Sequence, residues 1–378
     1  MSSLSFLHSA DLQIGMTAPG VGPLAKRIQD ARIESLRIIL SHAANDRVNF
    51  CVIAGDLFET NQVSKRYVQE VVRLLEGARP LPIFILPGNH DHIGPNSVFL
   101  QDDFARLGSH AHVLSERKPF VLSEFDVTLY PSPCFETRSN ESPANWIKKQ
   151  QGTRYHIAIL HGSIPSVFGH TSEEDEYYPM TVDELKNLGM DYIALGHWHS
   201  LYPDPVTVGD SPFFYSGTPE PTGFGERKSG YLVRVELGEG GRKVNAFPTA
   251  QFEFVDLSKE IKAAPDVAAL KSELAQLPQP ERALVRLALH GIISVATMEL
   301  VEELITDAQG RLAYIRVDDK DLLLEPDESD LSRFARGGIA STTFVLLRKK
   351  RDAAPAADRQ KLNRAISLAY KAFKGELE

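Results

Sequence analysis

Residues 50–59, FCVIAGDLFE, carry a fully apolar run directly into Gly55 and Asp56. A second stretch of the same kind, IFILPGNHD, occupies residues 83–91. Short apolar runs that stop at turn-forming residues are typical of strands buried on both faces in a parallel sheet. In open α/β sheets, ligands bind beyond the carboxyl ends of such strands. We therefore look for a functional site in the polar segments that follow these runs.

Three further runs of this kind lie outside that region, at residues 4–8, 156–160 and 192–195. Apolar residues recur at helical spacing over residues 28–40 and 68–75, between the first three runs. Strands that alternate with amphipathic helices predict an α/β fold with helices packed on the sheet. Aromatic and β-branched segments between residues 205 and 256 predict a second sheet or an antiparallel extension.

A mixed segment with Pro265, Pro278 and Pro280 separates this region from a smaller unit. There we predict a strand over residues 283–289, a helix over 295–308, and strands over 312–317 and 342–347. Residues 355–375 have the periodicity of an amphipathic helix. The predicted organisation is therefore three segments, residues 1–256, 257–347 and 348–378.

Composition narrows the class of protein. The 378 residues carry a net charge of −9 and only two cysteines, Cys51 and Cys134, which form no CxxC pair. A disulfide scaffold is excluded, and a reducing cytoplasm is expected. No run approaches the ~20 apolar residues of a membrane span, so we expect no membrane partner. The C-terminal segment differs in charge, because residues 345–378 hold nine basic and four acidic residues.

The polar segments after the five runs share one chemistry. Each run is followed by at least one carboxylate, amide or imidazole group, and these are the donors that hard and borderline divalent metals prefer. Alternate residues of an extended segment face the same way, so Asp11 with Gln13, and His197 with His199, can each serve one site. Taken singly, each fragment is also explained by a turn, a helix cap or a structural histidine. Together they predict a metal centre, with candidates Asp11, Gln13, Asp56, Asn89, His90, His161, His197 and His199.

These segments resemble the calcineurin-like metallophosphoesterases, and within them the SbcD/YhaO-like DNA double-strand-break repair exonucleases. The family pattern is D-x-H, G-D, G-N-H-D/E, H and G-H-x-H, and four of the five blocks match here. Residues 215–220 (YSGTPE) and 224–226 (FGE) also look like the subfamily. The resemblance implies a two-sheet α/β sandwich flanked by helices, with a small α+β capping domain and a C-terminal helical tail. Residues 1–256 would then be the nuclease domain, 257–347 the capping domain and 348–378 a partner-binding tail.

The resemblance also implies a site for two divalent metal ions, Mn²⁺ or otherwise Mg²⁺, bridged by Asp56. It assigns Asp11, position 13 and His199 to one ion, and Asn89, His161 and His197 to the other. His90 would donate the proton to the leaving oxygen. For Asp91 we expect a role in orienting a histidine.

Gln13 departs from the pattern, which has histidine at this position. An amide oxygen is a poorer donor than imidazole for transition metals, so we expect one ion to bind more weakly. Two explanations stay open. The protein is an enzyme that needs a high Mn²⁺ concentration, or its site retains mainly the other ion.

The function implied by the resemblance is a metal-dependent DNA phosphodiesterase. It would be a 3′-to-5′ exonuclease, with incision of single strands or hairpins, acting with an SMC-like ABC ATPase subunit (SbcC/YhaN-like), and two copies could associate. One alternative is a phosphoesterase that acts on a small nucleotide or a phosphoprotein, since a shared fold does not settle the substrate. Another is a scaffold that binds DNA ends with a site weakened by Gln13.

The basic C-terminal segment has two interpretations. Four consecutive cations could contact DNA phosphates, and an apolar helix face could dock into a groove of the ATPase partner. The alternative is a terminal helix that packs on its own domain. The candidate contact residues are Arg348, Lys349, Lys350, Arg351, Leu362, Ile366, Tyr370 and Phe373.

Overall fold

The computed structural model describes residues 3–108, 110–168, 177–204, 211–332 and 338–375. Within it the chain forms two compact units, Met1–Phe252 and Glu253–Glu378. No described helix is long and apolar enough to cross a lipid bilayer.

The first unit contains eleven strands and five α-helices in its described part. The strands are β1 (Leu4–Ser9), β2 (Phe50–Ala54), β3 (Ile83–Leu86), β4 (Ala111–Val113), β5 (Phe120–Leu122), β6 (Val127–Ser132), β7 (Tyr155–His161), β8 (Tyr192–Gly196), β9 (Phe213–Tyr215), β10 (Tyr231–Gly238) and β11 (Gly241–Pro248). The helices are α1 (Leu24–Asn45), α2 (Lys65–Gly77), α3 (Asp102–Ala105), α4 (Pro165–Phe168) and α5 (Val182–Asn187).

These strands form two sheets. One has the order β11-β10-β1-β2-β3-β4, and the other has the order β5-β6-β7-β8-β9. The five predicted apolar runs are β1, β2 and β3 of the first sheet and β7 and β8 of the second. Neighbours among them run parallel, so their carboxyl ends lie at one edge of each sheet. The predicted α/β fold is confirmed.

The two sheets pack face to face through large apolar side chains. Phe6, Phe50 and Phe84 of the first sheet share a buried core with Ile157 and Tyr192 of the second. The Phe6 and Phe50 rings stack with their centroids 4.9 Å apart. Burial on both sheet faces explains why these strands read as continuous apolar runs rather than as alternating patterns.

Helices cover the outer faces of both sheets. Leu36 and Ile39 of α1 and Val71 of α2 pack against the outward side chains of the first sheet, including Ile53. Leu185 of α5 belongs to a separate core on the outer face of the second sheet. The sandwich flanked by helices is therefore the architecture that the sequence resemblance implies.

The second unit is a three-stranded parallel sheet with helices. Its strands are β12 (Glu253–Glu260), β13 (Ala283–Ile293) and β14 (Tyr314–Leu324), in the order β12-β13-β14. Its helices are α6 (Ala264–Ala275), α7 (Val295–Arg311), α8 (Glu328–Ser332), α9 (Gly338–Ala353) and α10 (Ala356–Lys374).

The predicted strand over residues 342–347 is wrong, because these residues lie inside α9. Ala340 and Phe344 are buried one helical turn apart, whereas Val345 and Leu346 are 61% and 60% exposed. The apolar, β-branched composition of the segment favours a strand. The tertiary contact that decides otherwise is between Phe344 and Tyr370 of α10, whose ring centroids lie 6.5 Å apart.

The C-terminal segment is part of the second unit rather than a separate tail. Ile366 and Tyr370 are 1% and 3% exposed in that unit's core, so their assignment as partner anchors is wrong. The apolar face of α10 therefore packs inside the second unit. This is the alternative interpretation of the C-terminal segment, a terminal helix that packs on its own domain. Leu362 is half-buried, and Phe373 is 39% exposed.

The four predicted phosphate-binding cations divide into two pairs. Arg348 donates a hydrogen bond to the carbonyl oxygen of Pro326, and Arg351 lies 2.7 Å from a carboxylate oxygen of Glu325. These two guanidinium groups therefore tie α9 to the end of β14. Lys349 and Lys350 are exposed.

The helical register of α9 predicts unequal effects of two neighbouring substitutions. Phe344→Ala should lower the free energy of unfolding of the second unit by about 3–5 kcal/mol, because it opens a cavity in the core. Val345→Ala should change it by less than about 0.5 kcal/mol. Hydrogen exchange of the α10 amides measures both effects, and equal losses would contradict the helix.

Candidate metal centre

The loops after the five strands meet at one place in the first unit. The Asp11 amide donates to the carbonyl oxygen of Gly55 at 3.0 Å, and the Gln13 amide donates to that of Asp56 at 2.9 Å. Asp11, Gln13 and Asp56 all have left-handed backbones, with φ of 55°, 46° and 52°. A non-glycine residue in this region costs of order 1–3 kcal/mol, so the strain is concentrated where polar side chains must point inward.

The centre of the site is formed by three buried groups. One ligand atom from each of Asp11, Asp56 and His161 lies within 4.8 Å of the other two. His161 Nε2 is 3.3 Å from Asp56 Oδ2. His161 Nδ1 lies 2.9 Å from the carbonyl oxygen of Ala54, which can only accept a hydrogen bond, so Nδ1 donates and Nε2 faces the carboxylates.

Asn89 joins two of the predicted imidazole ligands. Its Oδ1 atom lies 2.9 Å from His161 Nε2 and 3.2 Å from His197 Nδ1. The structure therefore gathers Asn89, His161 and His197, the set expected for one ion.

The set expected for the other ion is also close together. Gln13 Nε2 lies 3.2 Å from His199 Nε2. Both carboxylate oxygens of Asp11 accept from the His197 amide at 3.0 Å, which fixes the carboxylate against the last loop. The amide of Gln13 thus occupies the place that the family pattern gives to an imidazole.

Two glycines allow this close approach. A Cβ atom on Gly88 would lie 2.1 Å from Asp56 Oδ1, and one on Gly55 would lie 2.0 Å from His161 Nδ1. Gly55 also has a φ of +99°, which side chains rarely permit. Any larger residue at either position would displace a predicted ligand.

The partner predicted for Asp91, a histidine, is wrong. Its carboxylate accepts hydrogen bonds from the amides of Gly88 at 2.7 Å and Phe58 at 3.0 Å, rather than from a histidine. Asp91 therefore fastens the loop after β3 to the loop after β2, because a buried carboxylate needs donors and two loop amides supply them. Burial raises the pKa of Asp91 to about 7, and the charge of Asp56 adds to this effect.

His90 lies beside the cluster and is partly exposed. Its amide donates to Asp56 Oδ1 at 2.9 Å. Its Nδ1 atom is 2.9 Å from the carbonyl oxygen of Glu59 and 4.0 Å from Glu59 Oε1. Burial alone lowers the pKa of His90, but the charge of Asp56 and the contacts with Glu59 outweigh it and raise the pKa above its ordinary value.

The charges of the site act strongly on one another. Burial raises the pKa of Asp11 to about 6. Burial likewise works against the charged forms of Asp56 and His161, but their mutual attraction holds the pKa of Asp56 well below its usual range and raises that of His161 to about 9. Burial and the neighbouring His161 lower the pKa of His197 to about 3. A buried pair of carboxylates surrounded by imidazoles and an amide fits divalent cations of the hard and borderline classes.

The structure reveals three residues near the site that the residue patterns did not single out as functional. Glu226 and Thr222 contact His199. The buried Arg32 donates hydrogen bonds to the carbonyl oxygens of Leu12 and Pro221. The only sequence signal was the FGE segment at residues 224–226, which the resemblance marked without assigning a role.

Gln13→His should strengthen the binding of one Mn²⁺ ion by about tenfold or more, which corresponds to ~1.4 kcal/mol, because imidazole is the better donor for this metal. The left-handed backbone at residue 13 suits histidine better than most residues. Isothermal titration calorimetry with Mn²⁺ measures the change. Gln101→His, at an exposed position, is the control, and unchanged affinity in Gln13→His would contradict a weakened site.

Comparisons with known proteins identify relatives of this chain. The metallophosphoesterase YhaO of Bacillus subtilis (strain 168) is 28% identical over 253 residues, covering 63% of this chain and 59% of that protein. A protein named as part of the nuclease SbcCD, from Staphylococcus epidermidis, is 24% identical over 260 residues, covering 61% and 65%. The DNA double-strand break repair protein Mre11 of Thermoplasma acidophilum is 25% identical over 371 residues, covering 91% and 92%. The match thus spans less than two thirds of the first two relatives.

A family model described as calcineurin-like phosphoesterase matches residues 4–201. This range covers more than half of the chain and contains every predicted metal ligand, from Asp11 to His199. The chain belongs to the calcineurin-like phosphoesterase family, whose members use a dinuclear metal site.

Proposed function

We propose that this protein is a metal-dependent DNA phosphodiesterase that removes nucleotides from 3′ ends and also incises single strands or hairpins. The observation that carries the proposal is the convergence of Asp11, Asp56 and His161 within 4.8 Å, with His90 alongside. The relatives named as part of a nuclease and as a double-strand break repair protein support DNA as the substrate.

The proposed cofactors are two divalent cations, with Mn²⁺ preferred over Mg²⁺ because the donor set includes imidazole nitrogens. Asp11, Gln13 and His199 would hold one ion, Asn89, His161 and His197 the other, and Asp56 both. When bound, such a pair of ions neutralises the phosphodiester charge and lowers the pKa of water. The protein holds the ligands rigidly at strand ends, so little reorganisation is needed when substrate arrives.

His90 is the proposed proton donor to the leaving oxygen. The Glu59 carbonyl oxygen can only accept, so Nδ1 of His90 carries a proton and donates to it. The ring is thereby oriented, and Nε2 is the position from which a proton can pass to substrate. The raised pKa of His90 keeps a larger fraction of the imidazole protonated near neutral pH.

The proposed partner is an SMC-like ABC ATPase subunit (SbcC/YhaN-like). One relative is named as a subunit of the nuclease SbcCD. That name supports the proposal that this protein also acts with a second subunit. On the second unit, α9 exposes Ile339, Val345 and Leu346 by 76%, 61% and 60%, next to the exposed Lys349 and Lys350. This face of α9 replaces Ile366 and Tyr370 as the proposed docking surface.

Gln13 favours a second candidate, a protein that binds DNA ends with little catalysis. A carboxamide in place of an imidazole weakens one of the two metal positions. The two candidates differ in turnover at saturating Mn²⁺.

The direct test incubates the protein with end-labelled single- and double-stranded DNA, and with a bis-phenyl phosphate ester, across a Mn²⁺ series. We expect DNA cleavage that increases with Mn²⁺ and is absent in Asp56→Asn. Cleavage of the ester without cleavage of DNA would indicate a phosphoesterase for small substrates. DNA binding without any cleavage would indicate the end-binding protein.

His90→Asn should lower kcat for DNA cleavage by about 10²–10⁴-fold, because it removes the proton donor. The number of bound Mn²⁺ ions should not change, since His90 is not a proposed ligand. Single-turnover kinetics and metal analysis of the same preparation test both statements. His42→Asn, on α1 and outside the predicted ligand set, is the control, and a wild-type rate in His90→Asn would remove His90 from the mechanism.

Leu346→Asp should abolish most co-purification with a co-expressed SMC-like ABC ATPase subunit, because it places a charge in the proposed apolar contact. Leu300→Asp is the control, since Leu300 is also exposed on the second unit, on α7. An intact complex in Leu346→Asp would show that α9 is not the dock.

A further inference from the structure

The two ring nitrogens of His199 have different surroundings. Nε2 faces the predicted ligands, 3.2 Å from Gln13 Nε2. Nδ1 faces away from them, 2.9 Å from Glu226 Oε1 and 2.9 Å from Thr222 Oγ1. A carboxylate can only accept a hydrogen bond, so its contact requires that Nδ1 carry a proton. The lone pair of a neutral His199 ring is then on Nε2, the atom directed toward the site.

The Glu226 carboxylate is itself held in place. Oε2 accepts a hydrogen bond from the Thr222 amide at 3.0 Å, and Oε1 accepts one from the Thr222 hydroxyl. The Glu226 side chain is 14% exposed. A carboxylate with both oxygens engaged by fixed donors has little freedom to rotate, so the imidazole that it contacts is also fixed in orientation.

A buried arginine sets the position of this loop relative to the metal ligands. Arg32 is 1% exposed and donates to the carbonyl oxygens of Leu12 at 3.2 Å, Glu220 at 3.3 Å and Pro221 at 3.0 Å. Leu12 lies between two predicted ligands, whereas Pro221 directly precedes Thr222. The guanidinium therefore joins the loop after β1 to the loop that carries Glu226.

Gln13 makes the orientation of His199 more important. With an amide at position 13, His199 is the single imidazole among the ligands assigned to that ion. Affinity for a borderline metal then depends on how well this one ring is aimed and how strongly its nitrogen donates. A negatively charged acceptor on Nδ1 improves both properties.

We propose that Glu226 is a positioning residue of the metal centre, which fixes His199 with Nδ1 protonated and Nε2 directed at the ion shared with Gln13. The inference rests on the metal centre of the proposed function, but it does not depend on DNA as the substrate. Its effect should therefore appear in metal binding alone.

The test is a Mn²⁺ titration of the full-length protein without DNA, with free Mn²⁺ counted by its electron paramagnetic resonance signal. Glu226→Gln should weaken one of the two ions by about 10–100-fold and leave the other unchanged. With Co²⁺ bound instead, the visible absorption spectrum should change as the ligand geometry loosens. Glu76→Gln, an exposed glutamate on α2, is the matched control and should match the wild type.

A double-mutant cycle separates positioning from a general structural effect. In a His199→Ala background, Glu226→Gln should weaken Mn²⁺ binding by less than about twofold, because the residue through which it acts is gone. An equal loss with and without His199 would overturn the proposal. So would binding of both ions in Glu226→Gln within about twofold of the wild type.

Thermal unfolding in chelator establishes that each variant is folded. If Glu226→Gln does not fold, Thr222→Val takes its place, because it removes the hydroxyl that contacts both Nδ1 and the carboxylate. It should weaken the same ion, and unchanged binding in Thr222→Val would then overturn the proposal. Neither outcome depends on nuclease activity, so a protein that cleaves no DNA still gives a clear answer.

Discussion

The structure depends on bringing buried carboxylates and imidazoles together so that the imidazoles offset part of the cost of burying the carboxylates. Asp56 and His161 lie 3.3 Å apart with almost no solvent exposure. An isolated buried carboxylate costs several kcal/mol, so such a group persists only with charged or donating partners. Here His161 and the His90 amide are the favourable partners of Asp56, and hydrogen bonds join the loops that carry these groups. A site of this kind is prepared for cations before they arrive.

The two-sheet sandwich explains how five separate loops reach one point. Parallel strands of each sheet end at the same edge, and the shared aromatic core holds the two edges together. Glycines at the strand ends remove the side chains that would keep the loops apart. Backbone strain at Asp11, Gln13 and Asp56 is tolerated because the core and the cross-loop hydrogen bonds outweigh it. The packing of the two sheets therefore also positions the side chains of the site.

In the second unit, the buried and exposed apolar residues differ from those that the sequence indicates. Its helix face with Ile366 and Tyr370 is internal, whereas α9 leaves Ile339, Val345 and Leu346 exposed. Exposed apolar patches on one helix are typical of surfaces that contact other proteins. The roles expected for residues 257–347 and 348–378, a capping domain and a partner-binding tail, remain predictions.

The sequence by itself determined the five strands that carry the site, β1, β2, β3, β7 and β8, and the ligand types at their ends, because burial on both faces leaves uninterrupted apolar runs and turns need glycine. It also identified Gln13 as a departure, since position within a pattern is a local property. Tertiary structure alone decided that α9 is a helix, that Ile366 and Tyr370 are core, that Asp91 binds loop amides, and that Glu226 faces His199. Each of these outcomes depends on a contact with a residue distant in the sequence, such as that of Phe344 with Tyr370. The local pattern of apolar and polar residues does not indicate which distant residues come into contact.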